Sequence, residues 1–517
     1  MSWQSIIHQN QSVVAKNAGP DFAIVVSGNQ NDADFWLNRF QKHAPTIFNQ
    51  SRDTPILASL ETNPMGNFLG TLQSWRDWKN TSPSKNHHGV AIMMMVVGSG
   101  SRLSPFTQKL NGRKAAFPTP MVSAHTGDFI NVGELAAGTM NAVIDYLRER
   151  NFEGILIKWG DEMILPGTAL NLGTDDLSQS DFIRFSQGTE PTPELAAHKE
   201  WIVADHDSNE LEMISRQAHD KLLNRLEPFQ NQDVSVRVNL GSLALSFDAI
   251  DGLLDTFADV LEDPQGKINW DPYFWIALHC KDEAAWQREA QTESELGLTG
   301  IADLEKAFPD FFERMQKFKT TLKQKKNLSD LSIKVFDFGD VYWADYGLQS
   351  RMREHLSDLI ADSPRGAATR ALYGLDSDPD RNGNLIVDSE LPETLTPTNS
   401  IIIGAKINGA DSTLNNAIIV GGEYGRLNIP KGGIAVHSHV DQLSLEDHTA
   451  MSFGSQADKL HVPAAGRHTT VQIAGDDPEH YIATESIFDE NPDFYDVPVL
   501  ANPISFRDLA RKVKDST

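Results

Sequence analysis

The sequence is poor in cysteine, in long apolar runs and in positive charge. Cys280 is its single cysteine. An intrachain disulfide and a cysteine-built zinc knuckle are therefore excluded, and nothing suggests an oxidising compartment. No stretch approaches the 18 apolar residues of a membrane-spanning helix. The opening MSWQSIIHQNQSVVAKN lacks the basic segment and apolar run of a secretory signal, so a cytoplasmic protein is expected. Forty-five Lys+Arg stand against 71 Asp+Glu, a net charge of −26. Such a field repels phosphate backbones and anionic lipid, so neither nucleic acid nor membrane is an expected partner. A small anionic substrate remains compatible, because a local group of cations can reverse the field in one cleft. The 517 residues leave room for roughly three units of about 150 residues.

The residues that are present alternate in type. Residues 21–26 (DFAIVV) and Val90 to Val97, eight apolar residues in a row, read as buried strands. Phe35, Trp36, Leu37 and Phe40 recur at helical spacing between them. Residues 155–159 (ILIKW) form a further strand, and Met140 to Arg150 a helix before it. This alternation from about residue 20 to 165 predicts an α/β unit, a sheet with helices on both faces. Ligands in such sheets sit at the carboxyl ends of strands, where the turns 98–102 and 160–162 fall. Residues 250–330 read as a helical insert rich in aromatics, with Trp270, Tyr273, Phe274 and Trp275. These are core residues or a cap over a ligand. Beyond Pro397, short apolar runs are broken by Gly and Asn every few residues, which suits a β-helix or another all-β stack. The expected division is 1–395 for the α/β unit and 396–517 for the β-rich end.

The segment GSGSRLSPFTQKLNGRKAAFP (98–118) carries the chemistry. A strand ends in Gly98-Ser99-Gly100-Ser101, a turn whose N–H groups can face an anion. Arg102 and Lys114 supply two cations nearby. It is not a Walker A loop, since Ala115 follows Gly112-Arg113-Lys114. It is not a dinucleotide fingerprint, since Leu103 stands where the third glycine belongs. A lone Gly-x-Gly is an ordinary surface turn, and the Arg-Leu-x-Pro and Lys-x-x-x-Pro that follow make it informative. His437, His439 and His448 invite a metal reading, but alternation of His437 and His439 along a strand favours solvated or hydrogen-bonded histidines.

This segment resembles the signature of sugar-1-phosphate nucleotidyltransferases, Gly-x-Gly-x-Arg-Leu-x-Pro with a later Lys-x-x-x-Pro. The resemblance implies a Rossmann-like, GT-A-like mixed sheet. It implies that Arg102 and Lys114 support the triphosphate of an NTP, with Gly98, Ser99, Gly100 and Ser101 around it. WGDEM (159–163) resembles the family's Gly-Asp strand end, and VYWADYG (341–347) its Trp-x-Asp-x-Gly element. Asp161 and Asp345 are by that likeness ligands of Mg²⁺. VNLGSLALS (238–246) resembles the segment that approaches the sugar, through Asn239 and Gly241. A strand and helix precede the Gly-rich loop, an order similar to the fucose-1-phosphate guanylyltransferase branch. In that branch's places stand Asn63-Pro64-Met65-Gly66 and Gly70-Thr71-Leu72, implying base contacts from Gly66, Gly70 and Thr71. The loop departs from that branch's Gly-Gly-x-Ser-Gln-Arg, and no kinase section follows Leu395. The implied reaction joins an NTP (GTP or UTP) and a sugar-1-phosphate into an NDP-sugar with release of pyrophosphate. A non-catalytic sugar-nucleotide-binding protein and a magnesium-dependent phosphohydrolase are the rival expectations. The β-rich end either assembles identical copies or covers a hydrophobic edge.

Overall fold

The computed structural model describes residues 5–7, 10, 19–48, 54–61, 65–81, 88–98, 100–170, 176–375, 379–409, 414–473, 476–491 and 493–516. Its larger part is a mixed nine-stranded sheet between two layers of helices. The strands are β1 (Ala23–Ser27), β2 (Ile56–Leu60), β3 (Val90–Met95), β4 (Gly154–Trp159), β5 (Phe182–Gly188), β6 (Trp201–Asp205), β7 (Glu210–Ile214), β8 (Val234–Ser246) and β9 (Ile333–Asp337). Their order is β7-β6-β8-β4-β3-β1-β2, with β5 on the other edge of β8 and β9 beside β5.

Strands β1 to β4 run parallel, and β8 runs antiparallel to β4, β5 and β6. Parallel strands need covered faces, so they read as unbroken apolar runs. Val25, Ile92 and Leu156 point into one core with Trp36 and Phe40, whereas Ile24, Met93 and Ile155 point into another with Phe68 and Trp75. Helices Gln30–Ile47 and Asn141–Glu149 cover the first face, and Gly66–Thr81 and Phe247–Thr256 the second. The aromatic insert joins this second core: Trp270, Phe274 and Trp275 are buried there. Each such side chain contributes about 1.5–3 kcal/mol or more on leaving water.

Because β1 to β4 are parallel, the segments after Ser27, Leu60, Met95 and Trp159 emerge along one edge. Two short ribbons lie outside the large sheet. In one, Pro118–Val122 pairs antiparallel with Phe129–Asn131. Glu162–Leu165 and Tyr342–Asp345 pair antiparallel, with Asp345 opposite Glu162.

The C-terminal part is a stack of short parallel strands in two sheets. One runs Leu385–Val387, Ile401–Ile403, Ala417–Val420, Gly433–Val436, Met451–Phe453 and Gly466–Val471, and Glu479–Thr484 ends it in antiparallel pairing. The other runs Lys406–Ile407, Glu423–Asn428, His439–Leu445 and Gln456–Val462. The coils are 16 or 17 residues long, as Ile401 opposite Ile418 and Ala417 opposite Gly433 show, and the four coils from Ile401 to Val462 each give one strand to each sheet. The stack thus begins at Leu385, ahead of residue 396. Ile401 and Ile403 face the core of the α/β part while Ile402 faces the interior of the stack. A strand buried on both faces has no polar alternation, which explains the III and AIIV runs.

The corners repeat as well. Asp388, Gly404, Gly421, His437 and Gly454 all have left-handed φ, between 46° and 63°. No described helix is long and apolar enough to cross a membrane.

Candidate active site

Past the end of β3 the chain turns at Gly98, φ +103°, and Gly100, φ +58°, before a 3-10 turn over Ser101–Leu103. Ser99 lies outside the described residues. A methyl group at Gly100 would sit 2.7 Å from Lys114 Cβ and 2.8 Å from Thr107 Cγ2. The loop therefore closes directly onto the stem of Lys114, and only glycine fits there. Lys114 opens a second 3-10 turn and donates to Asp161 Oδ2 at 2.5 Å.

Asp161 comes from the end of β4. Gly160 N–H donates to the Met95 carbonyl at 3.0 Å, tying the ends of β3 and β4 together. From Asp161 the chain enters the outer ribbon, where Tyr346 N–H donates to the Asp161 carbonyl at 2.8 Å. This ribbon brings in Asp345, far away in sequence. The Asp345 carboxylate accepts from Gly347 N–H at 2.6 Å, and its own N–H donates to His355 Nε2 at 3.0 Å.

Gly347 marks where the groups converge. A methyl group there would lie 2.9 Å from Asp345 Oδ1, 3.3 Å from Asp161 Oδ2 and 3.7 Å from Arg102 Nη2. Its missing side chain leaves a space bounded by two carboxylate oxygens and a guanidinium. Arg102 is exposed and makes no hydrogen bond or ion pair among the described residues. Gln349 Nε2 donates to the Ser104 carbonyl, fastening the Arg102 turn to the helix Gln349–Ser357. Arg102, Lys114, Asp161 and Asp345 are thus brought together from four segments.

Hard carboxylate oxygens are the donors Mg²⁺ prefers, and one or two of them with substrate phosphates and waters make its usual site. The two oxygens flanking the Gly347 space are of that kind, Asp161 Oδ2 accepting from Lys114 Nζ and Asp345 Oδ1 from Gly347 N–H. No group of three His, Cys, Asp or Glu among the described residues could hold a metal.

Three charged residues here escaped sequence reading. Lys158 on β4 is fully buried, its Nζ has no hydrogen-bond partner among the described residues and lies 3.8 Å from Glu162 Oε2. Burial lowers its pKa, opposed by Glu162, Asp161 and Asp345. Burial pushes the Glu162 carboxyl up to about 7. Lys199 Nζ stands 3.6 Å over the Trp343 ring, and burial lowers it while Glu162 and Asp345 draw it back.

Asn239 and Gly241 sit at an irregularity of β8, where its register with β5 shifts. Gly241 has φ +77°, and a methyl group there would lie 3.0 Å from Trp159 Nε1, beside the end of β4. Asn239 donates to Glu200 at 3.2 Å and to Asp271 of the insert at 3.0 Å. Burial, with the Glu200 charge beside it, pushes Asp271 up to about 7. Behind it the buried Arg184 donates to Glu210 at 2.7 Å.

Gly66, Gly70 and Thr71 lie in the first turns of the helix after β2. A methyl group at Gly66 would meet the Ile268 carbonyl at 2.4 Å, and one at Gly70 the Glu61 carboxylate at 3.1 Å. The Thr71 hydroxyl donates to the Asn67 carbonyl at 2.7 Å and accepts from Trp270 Nε1 at 3.3 Å. Gly66 and Thr71 thus receive the insert in tight packing, and Gly70 receives Glu61. Asn63 and Pro64 lie outside the described residues. His437 is a corner residue and only His439 belongs to a strand, so the two do not alternate along one strand.

No family model and no curated protein sequence matches this chain.

Proposed function

We propose that this chain is a sugar-1-phosphate nucleotidyltransferase, forming an NDP-sugar and pyrophosphate from an NTP and a sugar-1-phosphate. The observation that carries the reading is the convergence of Arg102, Lys114, Asp161 and Asp345 at the carboxyl edge of β3 and β4. In this reading the mixed sheet is Rossmann-like and GT-A-like, supported by the parallel run β2-β1-β3-β4 with β8 antiparallel beside it. The stack of 16- and 17-residue coils is then a β-helix.

The sugar phosphate oxygen attacks the α-phosphorus, the α–β anhydride bond breaks, and pyrophosphate leaves. No covalent enzyme intermediate is needed, so the protein's work is positioning and charge neutralisation. Arg102, unpaired and exposed, is free to grip phosphate oxygens through two N–H groups. The N–H groups of Gly98, Gly100 and Ser101 receive the growing negative charge. Lys114 neutralises Asp161 before substrate arrives and holds the phosphates in line afterwards. Asp161 and Asp345 would hold Mg²⁺, which supplies charge stabilisation to the phosphates when bound. Asn239 and Gly241 border the sugar. Gly66, Gly70 and Thr71 act on the base side by placing their helix, since Ile268 and Glu61 pack against the two glycines and the Thr71 hydroxyl is already engaged.

The test is pyrophosphate release from the purified chain with magnesium, scanning GTP, UTP and the other NTPs against sugar-1-phosphates that include fucose-1-phosphate. Release requiring one NTP and one sugar phosphate together is expected, with reversal by pyrophosphate from the NDP-sugar. Phosphate release from NTP alone would make the chain a hydrolase. Nucleotide binding without turnover on any pair would make it a binding protein.

A further inference from the structure

The helix Gln349–Ser357 buries residues that an amphipathic helix normally turns to water. Its buried stripe holds Gln349, Met352, His355 and Leu356, the three- and four-residue steps of one helical face. Met352 and Leu356 suit that place. Gln349 and His355 are each only 4% exposed. A polar side chain at that depth costs free energy unless its hydrogen bonds are made, and a leucine or methionine there would carry no such cost.

Both side chains direct their bonds at backbone of the candidate active site, on its two sides. Gln349 Nε2 donates to the carbonyl of Ser104, two residues past Arg102. His355 Nε2 accepts from the N–H of Asp345 at 3.0 Å. Gln349 Oε1 is buried with no hydrogen-bond partner among the described residues, so the donor end alone repays the burial of this side chain.

The imidazole is itself held. Arg365 Nη2 lies 3.0 Å from its Nδ1, and Arg365 Nε donates to Asp358 Oδ2 at 2.7 Å. The Tyr346 ring stacks on it, with centroids 5.7 Å apart and planes 21° apart, and the Tyr346 hydroxyl pairs with that of Tyr373 at 2.6 Å. A ring gripped on these sides has one place for its Nε2.

The two ties are six residues apart on one element, about 9 Å along a helix axis. Residues 346–348 lead from Asp345 into that helix, so the bond from Asp345 to His355 closes a loop around Gly347. That glycine's missing side chain leaves the space between Asp345, Asp161 and Arg102.

We propose that the helix Gln349–Ser357 is a bracket that fixes the distance between Arg102 and Asp345, with His355 the positioning residue for Asp345 and Gln349 the positioning residue for the Arg102 turn. Each acts through backbone, and a site held by such supporting bonds keeps its reacting groups in register. The catalytic consequence rests on the nucleotidyltransferase reading. The ties themselves do not.

Two amide variants of His355 in the full chain separate reach from polarity. Glutamine can place its oxygen where Nε2 stands, whereas asparagine reaches only to the place of Nδ1. Hydrogen exchange, read by mass spectrometry on peptides covering 342–347, tests the first tie without any substrate. His355→Asn is expected to free one amide that exchanges slowly in the wild type and in His355→Gln. Steady-state rates on the substrate pair identified by the scan of NTPs and sugar phosphates test the consequence. His355→Asn should lose about tenfold or more in kcat with KM for the NTP within about twofold of the wild type, as displacement of a reacting group does, and His355→Gln should recover most of that loss. Gln349→Met should instead raise KM for the NTP severalfold and leave exchange over 342–347 as in the wild type. Equal exchange and equal rates in the two His355 variants, or wild-type rates in His355→Asn, would overturn the assignment of His355. A wild-type KM in Gln349→Met would remove Gln349 from the bracket. If His355→Asn frees the amide but the wild type turns over no substrate pair, the nucleotidyltransferase reading falls and the catalytic role with it, while the tie between His355 and Asp345 stands.

Discussion

Glycines do different work in the two halves of this molecule. At the edge of the large sheet, Gly100 and Gly347 are small so that charged side chains can close around a space: Lys114 against the first, Arg102, Asp161 and Asp345 around the second. In the C-terminal stack, Gly404, Gly421 and Gly454 are small because each coil turns a corner at positive φ and two of those corners press on the neighbouring unit. The first set is bought with no gain in stability, and its value lies in what it leaves open. The second set is architecture, and its loss should be felt in folding and docking.

That contrast can be broken at several points. The largest effect is expected at the sheet edge. Asp161→Asn or Arg102→Ala should lower turnover by a factor on the order of 10² or more, as loss of a transition-state charge partner does. Wild-type-like turnover in either folded variant would remove that residue from the mechanism. Gly347→Ala should cost activity about tenfold or more, because its methyl intrudes 2.9 Å from Asp345 Oδ1, as a small misplacement of reacting groups does. Its melting temperature should stay near that of the wild type, and a large drop there would assign Gly347 to architecture instead.

The second expected effect belongs to the stack. Burial holds His437 and His468 neutral, each with its pKa lowered from 6.5 to about 4. The unfolded chain takes up these protons below about 6.5 while the folded chain refuses them. Stability is therefore lost as pH falls from about 6.5 towards 4, on the order of a few kcal/mol for the pair. Urea midpoints across that range should flatten in a His437→Gly/His468→Gln double variant, and an unchanged slope would count against the assignment. The smallest effect is at a corner. Gly421→Ala, at φ +63° and with its methyl 2.9 Å from His437 Cε1, should cost about 1–2 kcal/mol for the backbone alone in chemical denaturation, with the His437 contact adding to it, and leave turnover unaltered.

Much of the large sheet is legible before the structure is seen, because buried parallel strands are short, apolar and followed by turns, as Val90 to Val97 and Gly98 show. The candidate site is legible through the likeness of short motifs to a family signature, which singles out Arg102, Lys114, Asp161 and Asp345 although 184 positions separate the two aspartates. Lys158, Glu162 and Lys199 are not, since a charged residue within a strand reads as surface unless its partners are known. Gly66 and Gly70 show the converse ambiguity: a glycine that admits a ligand and one that admits the Ile268 carbonyl or the Glu61 carboxylate look alike in sequence. The coils conceal their period for a further reason. What recurs every 16 or 17 residues is a backbone angle, supplied by Asp388, Gly404, Gly421, His437 and Gly454 in turn, so the spelling varies while the shape does not.

The strand Glu479–Thr484 runs against Gly466–Val471, the last parallel strand of its sheet. A parallel stack is by nature unfinished, since each rung offers the next the same row of donors and acceptors. Reversing direction at the final rung presents a different pattern to anything that follows, and the helix Phe506–Ser516 packs into the same terminal core. The protein therefore counts its own coils. A segment of one repeat length inserted before the reversed strand should add a rung and leave the terminator working, whereas deleting that strand should expose an edge on which one molecule can prolong another.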